Sequence, residues 1–114
     1  MKSYEPETVF KPWGFEIRWA ITEKYLGKIL HINAGHQLSL QYHEVKDESI
    51  YILEGTLIVK DGERAVILEE GDSMRIKPGT VHRFCAPNGT HVKLLEVSTP
   101  EIDDVVRLED DYGR

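Results

Sequence analysis

The sequence predicts an all-β domain, an antiparallel jelly-roll barrel. Three observations carry that expectation. Short apolar runs rich in Ile, Val, Leu and Tyr recur along the chain, without the three-to-four spacing of an amphipathic helix. Glycine-bearing corners cut these runs at short intervals, and about eight strands in a row without intervening helices leave a sandwich or a barrel. The 114 residues suffice for one domain with a real core.

In chain order, residues 1–23 read as an N-terminal arm, residues 24–99 as the barrel core and residues 100–114 as an acidic C-terminal segment. Strands are expected at Leu26–Ile32, Leu38–His43, Ser49–Leu53, Thr56–Lys60, Ala65–Leu68, Ser73–Lys77, His82–Cys85 and Val92–Val97. Between them lie Ala34-Gly35, Glu54-Gly55, Asp61-Gly62, Glu70-Gly71, Pro78-Gly79 and Asn88-Gly89, all turn chemistry. The last segment holds six acids against two arginines. Its Ile102, Val105, Val106, Leu108 and Tyr112 nevertheless favour docking on the barrel over a solvated tail.

Fourteen basic against twenty acidic side chains give a formal charge of −6, which argues against nucleic acid as a partner. No apolar stretch is long enough to span a bilayer, and the amino end carries acids where a signal peptide needs an apolar run. A cytoplasmic protein without a membrane partner is the expectation. Cys85 is the single cysteine, so an intrachain disulfide and a cysteine-cluster zinc site are both excluded.

Histidine carries the chemistry. Gln41 and His43 stand two apart on one expected strand and so share a face. Glu48 follows across a short polar turn, and His82 sits near the far end of the sheet after Pro78-Gly79. A barrel can converge two imidazoles, a carboxylate and an amide oxygen on one interior point. That set suits one divalent ion, zinc first, with manganese, iron or nickel as alternatives, and leaves coordination positions for water or substrate. His31, His36 and His91 read as structural residues, Trp13 and Trp19 as packing, Cys85 as a small buried side chain, and Asn88-Gly89-Thr90 as a turn.

The spacing resembles the cupin superfamily, whose motifs read G-x5-H-x-H-x(3,4)-E-x6-G and G-x5-P-x-G-x2-H-x3-N. Gly35, Gln41, His43, Glu48 and Gly55 fall on the first, and Gly71, Gly79 and His82 on the second. Gln41 stands in place of the first His, Lys77 of the Pro and Ala86 of the Asn. SLQYH, KPWGFE from Lys11 to Glu16, KPGTVHRF at Lys77–Phe84 and the closing DDVVRLEDDYGR are similar to one branch, the type II phosphomannose isomerases. That resemblance runs from about Lys11 to Arg114. It implies a cupin whose metal is held by Gln41, His43, Glu48 and His82. With no nucleotidyltransferase domain ahead of the barrel, nucleotidyl transfer is not expected. Where the family has HHHRAEHW this chain has HEVKDESI, so Lys46, Ser49 and Ile50 replace an Arg, a His and a Trp. Arg and Lys are not equivalent at a bidentate contact, which puts mannose 6-phosphate turnover in question.

The resemblance implies aldose–ketose isomerisation of a phosphorylated or nucleotide-linked sugar, with the metal as Lewis acid. Lys46 and Glu96 are the leading catalytic candidates, with Glu44 and His31 behind them. Lys28, Arg75, Arg83 and Arg114, together with Arg107, are the candidates for holding the substrate's phosphate. Two other functions fit the same residues, a metal-dependent dioxygenase and a non-catalytic sugar or sugar-nucleotide binding module. A homodimer is expected, because small open barrels tend to cover edge strands with a partner.

Overall fold

The computed structural model describes residues 1, 3 and 5–114, and the described residues form eleven strands and no helix. They are β1 (Glu7–Lys11), β2 (Gly14–Ile21), β3 (Leu26–Ile32), β4 (Leu40–Tyr42), β5 (Glu48–Glu54), β6 (Leu57–Lys60), β7 (Ala65–Leu68), β8 (Ser73–Ile76), β9 (Arg83–Cys85), β10 (Val92–Ser98) and β11 (Val106–Glu109). Every pairing among the described residues is antiparallel, three of them hairpins (β1–β2, β2–β3 and β6–β7) and the rest between strands distant in sequence. One wall is a six-stranded sheet in the order β1-β2-β3-β10-β5-β8. The other is built from β7-β6-β9 and β11-β4, joined by the bridges Gln37–Cys85 and Gln41–His82.

Eight strands fall where the apolar runs placed them, and three do not. The expected arm contains the hairpin of β1 and β2, which turns at Pro12-Trp13 and adds two strands to the larger sheet. Its polarity is inverted: Glu16 points inward and is buried, while Trp19 and Ile21 are exposed. A pattern rule that sends apolar residues to the core misreads such a strand. The acidic segment supplies β11, which pairs with β4, and Tyr112 packs against the core. Its expected docking is therefore observed, and its charged residues find partners on the barrel, as described below.

The large sheet's inner face explains that inversion. Arg18, Lys28, Glu96 and Ile50 stand in one cross-strand row, and Glu16, Leu30, Leu94 and Ile52 in the next. One end is thus polar. The other holds the core, where Ile32, Ile52, Leu57, Val92 and Leu94 are fully buried beside Trp13 and Phe84. At roughly 1.5–3 kcal/mol per buried large apolar side chain, this end stabilises the barrel and frees the other for chemistry. Gly55 makes the corner after β5 with φ of 81°, where a Cβ would stand 2.3 Å from the His91 carbonyl oxygen.

Candidate metal centre

A cavity of about 300 Å³ opens at the polar end, between the two walls. Gln41 and His43 reach it from β4 and the turn that follows, Glu48 from the first residue of β5, and His82 from just before β9. Gln41 and His82 are tied by a reciprocal pair of backbone hydrogen bonds of 3.0 and 2.8 Å. Gly79, at φ of 82°, folds the preceding turn back so that its N–H donates to the His43 carbonyl at 2.7 Å. The two histidines, far apart in sequence, are therefore held together by backbone.

Each imidazole is oriented by a backbone carbonyl. His43 Nδ1 donates to the Asp104 carbonyl at 2.5 Å, and His82 Nδ1 donates to the Thr80 carbonyl at 2.8 Å. Both Nε2 atoms face Glu48 Oε1 at 3.4 Å; without an ion each can donate to that oxygen, and with the proton kept on Nδ1 alone each would offer a lone pair to a cation placed between them. One donor atom from each of the three residues lies within 4.8 Å of the others, and all three residues are buried. Bonds of about 2.0–2.1 Å place neighbouring donors of a tetrahedron about 3.4 Å apart, so the spacing fits a divalent ion. The second oxygen, Glu48 Oε2, is buried and makes no hydrogen bond among the described residues. Buried polar atoms are seldom left so, and the cation that answers this one is Lys46 Nζ at 3.2 Å, which leaves Oε1 as the oxygen turned to the two imidazoles. Gln41 lines the same cavity, with its Nε2 donating to the Ser39 carbonyl at 3.4 Å.

Behind this cluster, Lys46 Nζ lies 3.2 Å from Glu48 Oε2 and 3.2 Å from Glu96 Oε2. These are ion pairs whose geometry falls short of hydrogen bonds, since both oxygens remain unpartnered in that sense. Burial raises the Glu48 carboxyl, but the two imidazoles and Lys46 outweigh it and hold the group well below the usual carboxylate range. Burial lowers the Lys46 ammonium, and Glu96 and Glu48 more than restore it. Glu96 is pushed up to about 7 by burial and by the charge of Glu48, against the pull of Lys46 and Lys28.

The mouth of the cavity is basic. Glu16 contacts Arg18 Nε at 3.0 Å, Lys28 Nζ at 3.1 Å and Lys11 Nζ at 3.8 Å. Arg114 lines the same mouth and pairs with Asp110 at 3.0 Å. Burial and the like charges of Arg18, Lys28 and Arg114 bring the Lys11 ammonium below its ordinary value despite Glu16. Lys11, Arg18, Lys28, Arg107 and Arg114 thus line the cavity beside Glu16, Asp103 and Asp104, a small local excess of positive charge in a chain of formal charge −6.

Of the residues singled out from sequence, Gln41, His43, Lys46, Glu48, His82, Glu96, Lys28, Arg107 and Arg114 all line this cavity. Two substrate candidates need correction. Arg75 stands on the outer side of β8, more than half exposed, with its guanidinium paired to Asp47. Arg83 is buried but turned away, donating to the Leu38 and Glu109 carbonyls at 2.8 and 3.2 Å. Strand membership alone did not say which face either side chain takes. Two minor candidates also fall elsewhere: His31 stacks between Phe15 and His91, and the exposed Glu44 lies outside the cavity lining. Lys11, Glu16, Arg18 and Asp104 were missed as site residues. Lys11 and Glu16 bound the KPWGFE motif and Asp104 lies in the closing motif, so the signal was present without a role attached to it.

A double-walled antiparallel barrel with inward donors at one end is the architecture of the cupins, and solved structures similar to this chain agree. An RmlC-like cupin from Shewanella frigidimarina matches with TM-score 0.76 at 18% identity, covering 87% of each chain. KdgF from a Halomonas species matches with TM-score 0.74 at 19% identity, covering 88% of this chain and 91% of its own. A cupin-superfamily sugar phosphate isomerase from Silicibacter pomeroyi matches with TM-score 0.67 at 22% identity, covering 75% and 58%. Within the cupins, the chain belongs to the mannose-6-phosphate isomerase C-terminal family, whose model matches residues 2–110. Curated relatives include the xanthan biosynthesis protein XanB of Xanthomonas campestris, 34% identical over 109 residues, and the mannose-1-phosphate guanylyltransferase ManC of Salmonella typhimurium, 35% identical over 109. The alginate biosynthesis protein AlgA of Pseudomonas aeruginosa is 31% identical over 109 residues. Each alignment covers 93% of this chain but only 23% of the relative, so the chain spans under a quarter of their length.

Proposed function

We propose that this cupin is a metal-dependent isomerase interconverting the aldose and ketose forms of a phosphorylated sugar, as in mannose 6-phosphate and fructose 6-phosphate. The observation that carries the reading is the pair of imidazoles whose Nε2 atoms face Glu48 Oε1 at 3.4 Å, beside a basic mouth. His43, Glu48 and His82, with Gln41 as a fourth donor, would hold the ion, zinc by preference for this nitrogen and oxygen set. When bound, it supplies Lewis acidity to a carbonyl and the neighbouring hydroxyl.

The chain's own residues supply the rest. Lys11, Arg18, Lys28 and Arg114 attract the substrate's phosphate and fix which end of the sugar enters first. Lys46 stands where the family pattern has arginine and keeps a cation beside the donor set. Glu96, poised near neutrality, is the group best matched to take and return a proton at the sugar carbons. Ile102 and Val105 of the last segment line the cavity and help shield it from bulk water.

The test is an assay of mannose 6-phosphate and fructose 6-phosphate interconversion by metal-loaded and chelated protein, with His82→Ala as control. Turnover by loaded wild type, lost on chelation and in the variant, is expected. Absence of turnover in fully loaded wild type contradicts the reading and favours a binding module.

A further inference from the structure

Asp104 holds four consecutive residues of the turn that follows β4. Its Oδ1 accepts the Glu44 N–H at 2.9 Å, its Oδ2 accepts those of Val45 and Lys46 at 2.7 and 2.8 Å, and its own carbonyl accepts His43 Nδ1. These bonds run between stretches some sixty positions apart in sequence and are the main tie between residue 104 and the site. Three adjacent backbone N–H groups aimed at one point need an acceptor, and a carboxylate with two oxygens meets that need more strongly than a neutral group.

We propose that Asp104 is a positioning residue of the metal centre, its carboxylate clamping the 44–46 turn so that its carbonyl fixes the ring of His43. The inference rests on the reading that His43, Glu48 and His82 hold a divalent ion. It differs from that reading in making the centre depend on the last segment of the chain. His82 provides an internal contrast, because its ring is fixed by Thr80, two residues away, and owes nothing to Asp104. Loosening Asp104 therefore acts on one imidazole and spares the other. A purely structural role for the clamp would not discriminate between them. The carbonyl sets both the tautomer and the aim of His43 Nε2, and losing such outer support typically lowers metal affinity about 10–100-fold.

The experiment uses the full chain with Asp104→Ala and Asp104→Asn. Nitrogen-15 NMR of the histidine rings is recorded on metal-free protein. Zinc affinity is measured by competition with a chromophoric chelator. Expected is a proton held on Nδ1 of both rings in wild type, its loss or weakening for His43 alone in Asp104→Ala, and zinc binding weakened about 10–100-fold. Asp104→Asn keeps one acceptor oxygen and falls between; should the alanine variant fail to fold, it carries the test. An unchanged His43 tautomer, or zinc affinity within about twofold of wild type in a folded variant, overturns the proposal. Wild type that binds no zinc overturns the metal reading instead, and the ring comparison then still reports whether Asp104 governs His43.

Discussion

Lys46→Met is the sharpest perturbation of the buried charge cluster. Lys46, Glu48 and Glu96 are each no more than 5% exposed, and the ammonium lies 3.2 Å from an oxygen of each carboxylate. Methionine keeps most of the side-chain volume, so little of the effect arises from packing. What is lost is the cation shared by two buried carboxylates, and breaking such a pair from one side costs about 3–5 kcal/mol. Glu96, already pushed up to about 7, can relieve part of the repulsion by taking a proton. Glu48 cannot do so as easily, because the imidazoles hold it ionised. The expected loss is therefore near the lower end, about 3 kcal/mol, a large share of the roughly 5–15 kcal/mol typical of a domain. Urea unfolding of metal-free protein at pH 7 measures it. Lys46→Met/Glu96→Gln should recover part of the loss, since one carboxylate has gone with its partner. A Lys46→Met protein within about 0.5 kcal/mol of wild type, the range of ordinary surface changes, would refute the reasoning.

Further expectations follow from the mouth, the outer surface and one corner. Burial raises the Glu16 carboxyl, but Lys28, Arg18 and Lys11 bring it below its ordinary value. A group depressed in the folded state stabilises above its unfolded pKa, about 4.3 for glutamate, and that contribution fades as pH falls through the lowered value. The stability gap between wild type and Glu16→Gln should accordingly be full above about pH 5 and shrink in acid; a gap that does not vary with pH contradicts the assignment. Arg75→Ala removes an exposed pair and should leave the unfolding midpoint close to that of wild type, with KM for the sugar phosphate unaltered. A raised KM would return Arg75 to the site. Gly55→Ala forces a Cβ against the His91 carbonyl at positive φ, and a clear fall in Tm is expected in a thermal scan. An unchanged Tm would show that the corner rearranges freely.

How much was legible in the sequence depended on which rule applied. The runs from Leu26 to Ile32 and Ala65 to Leu68 match β3 and β7 at both ends, because apolar residues flanked by turn chemistry identify a strand whichever face it shows. β2 was hidden by its inverted face: Glu16 and Arg18 turn toward the cavity, a placement stabilised by their own ion pair and by Lys28 and Lys11 from neighbouring strands. β11 was hidden because it is only four residues long within an acidic segment, and its order comes from β4 and from contacts such as Asp104 with the 44–46 turn. In the candidate site, fixed motif offsets sufficed to bring Gln41, His43, Glu48 and His82 to one cavity. Nothing comparable marks which basic residues face inward, and so Arg75 and Arg83 were misplaced while Lys11 and Arg18 were passed over. Alternation along a strand tells two faces apart without saying which is inside when both carry charge.

Elemental analysis of protein loaded with zinc, freed of excess metal and compared with His43→Ala and His82→Ala tests the central claim most directly. The donor geometry calls for one equivalent of zinc retained per wild-type chain and little in either variant. Wild type that retains none, or variants that retain as much as wild type, would contradict it.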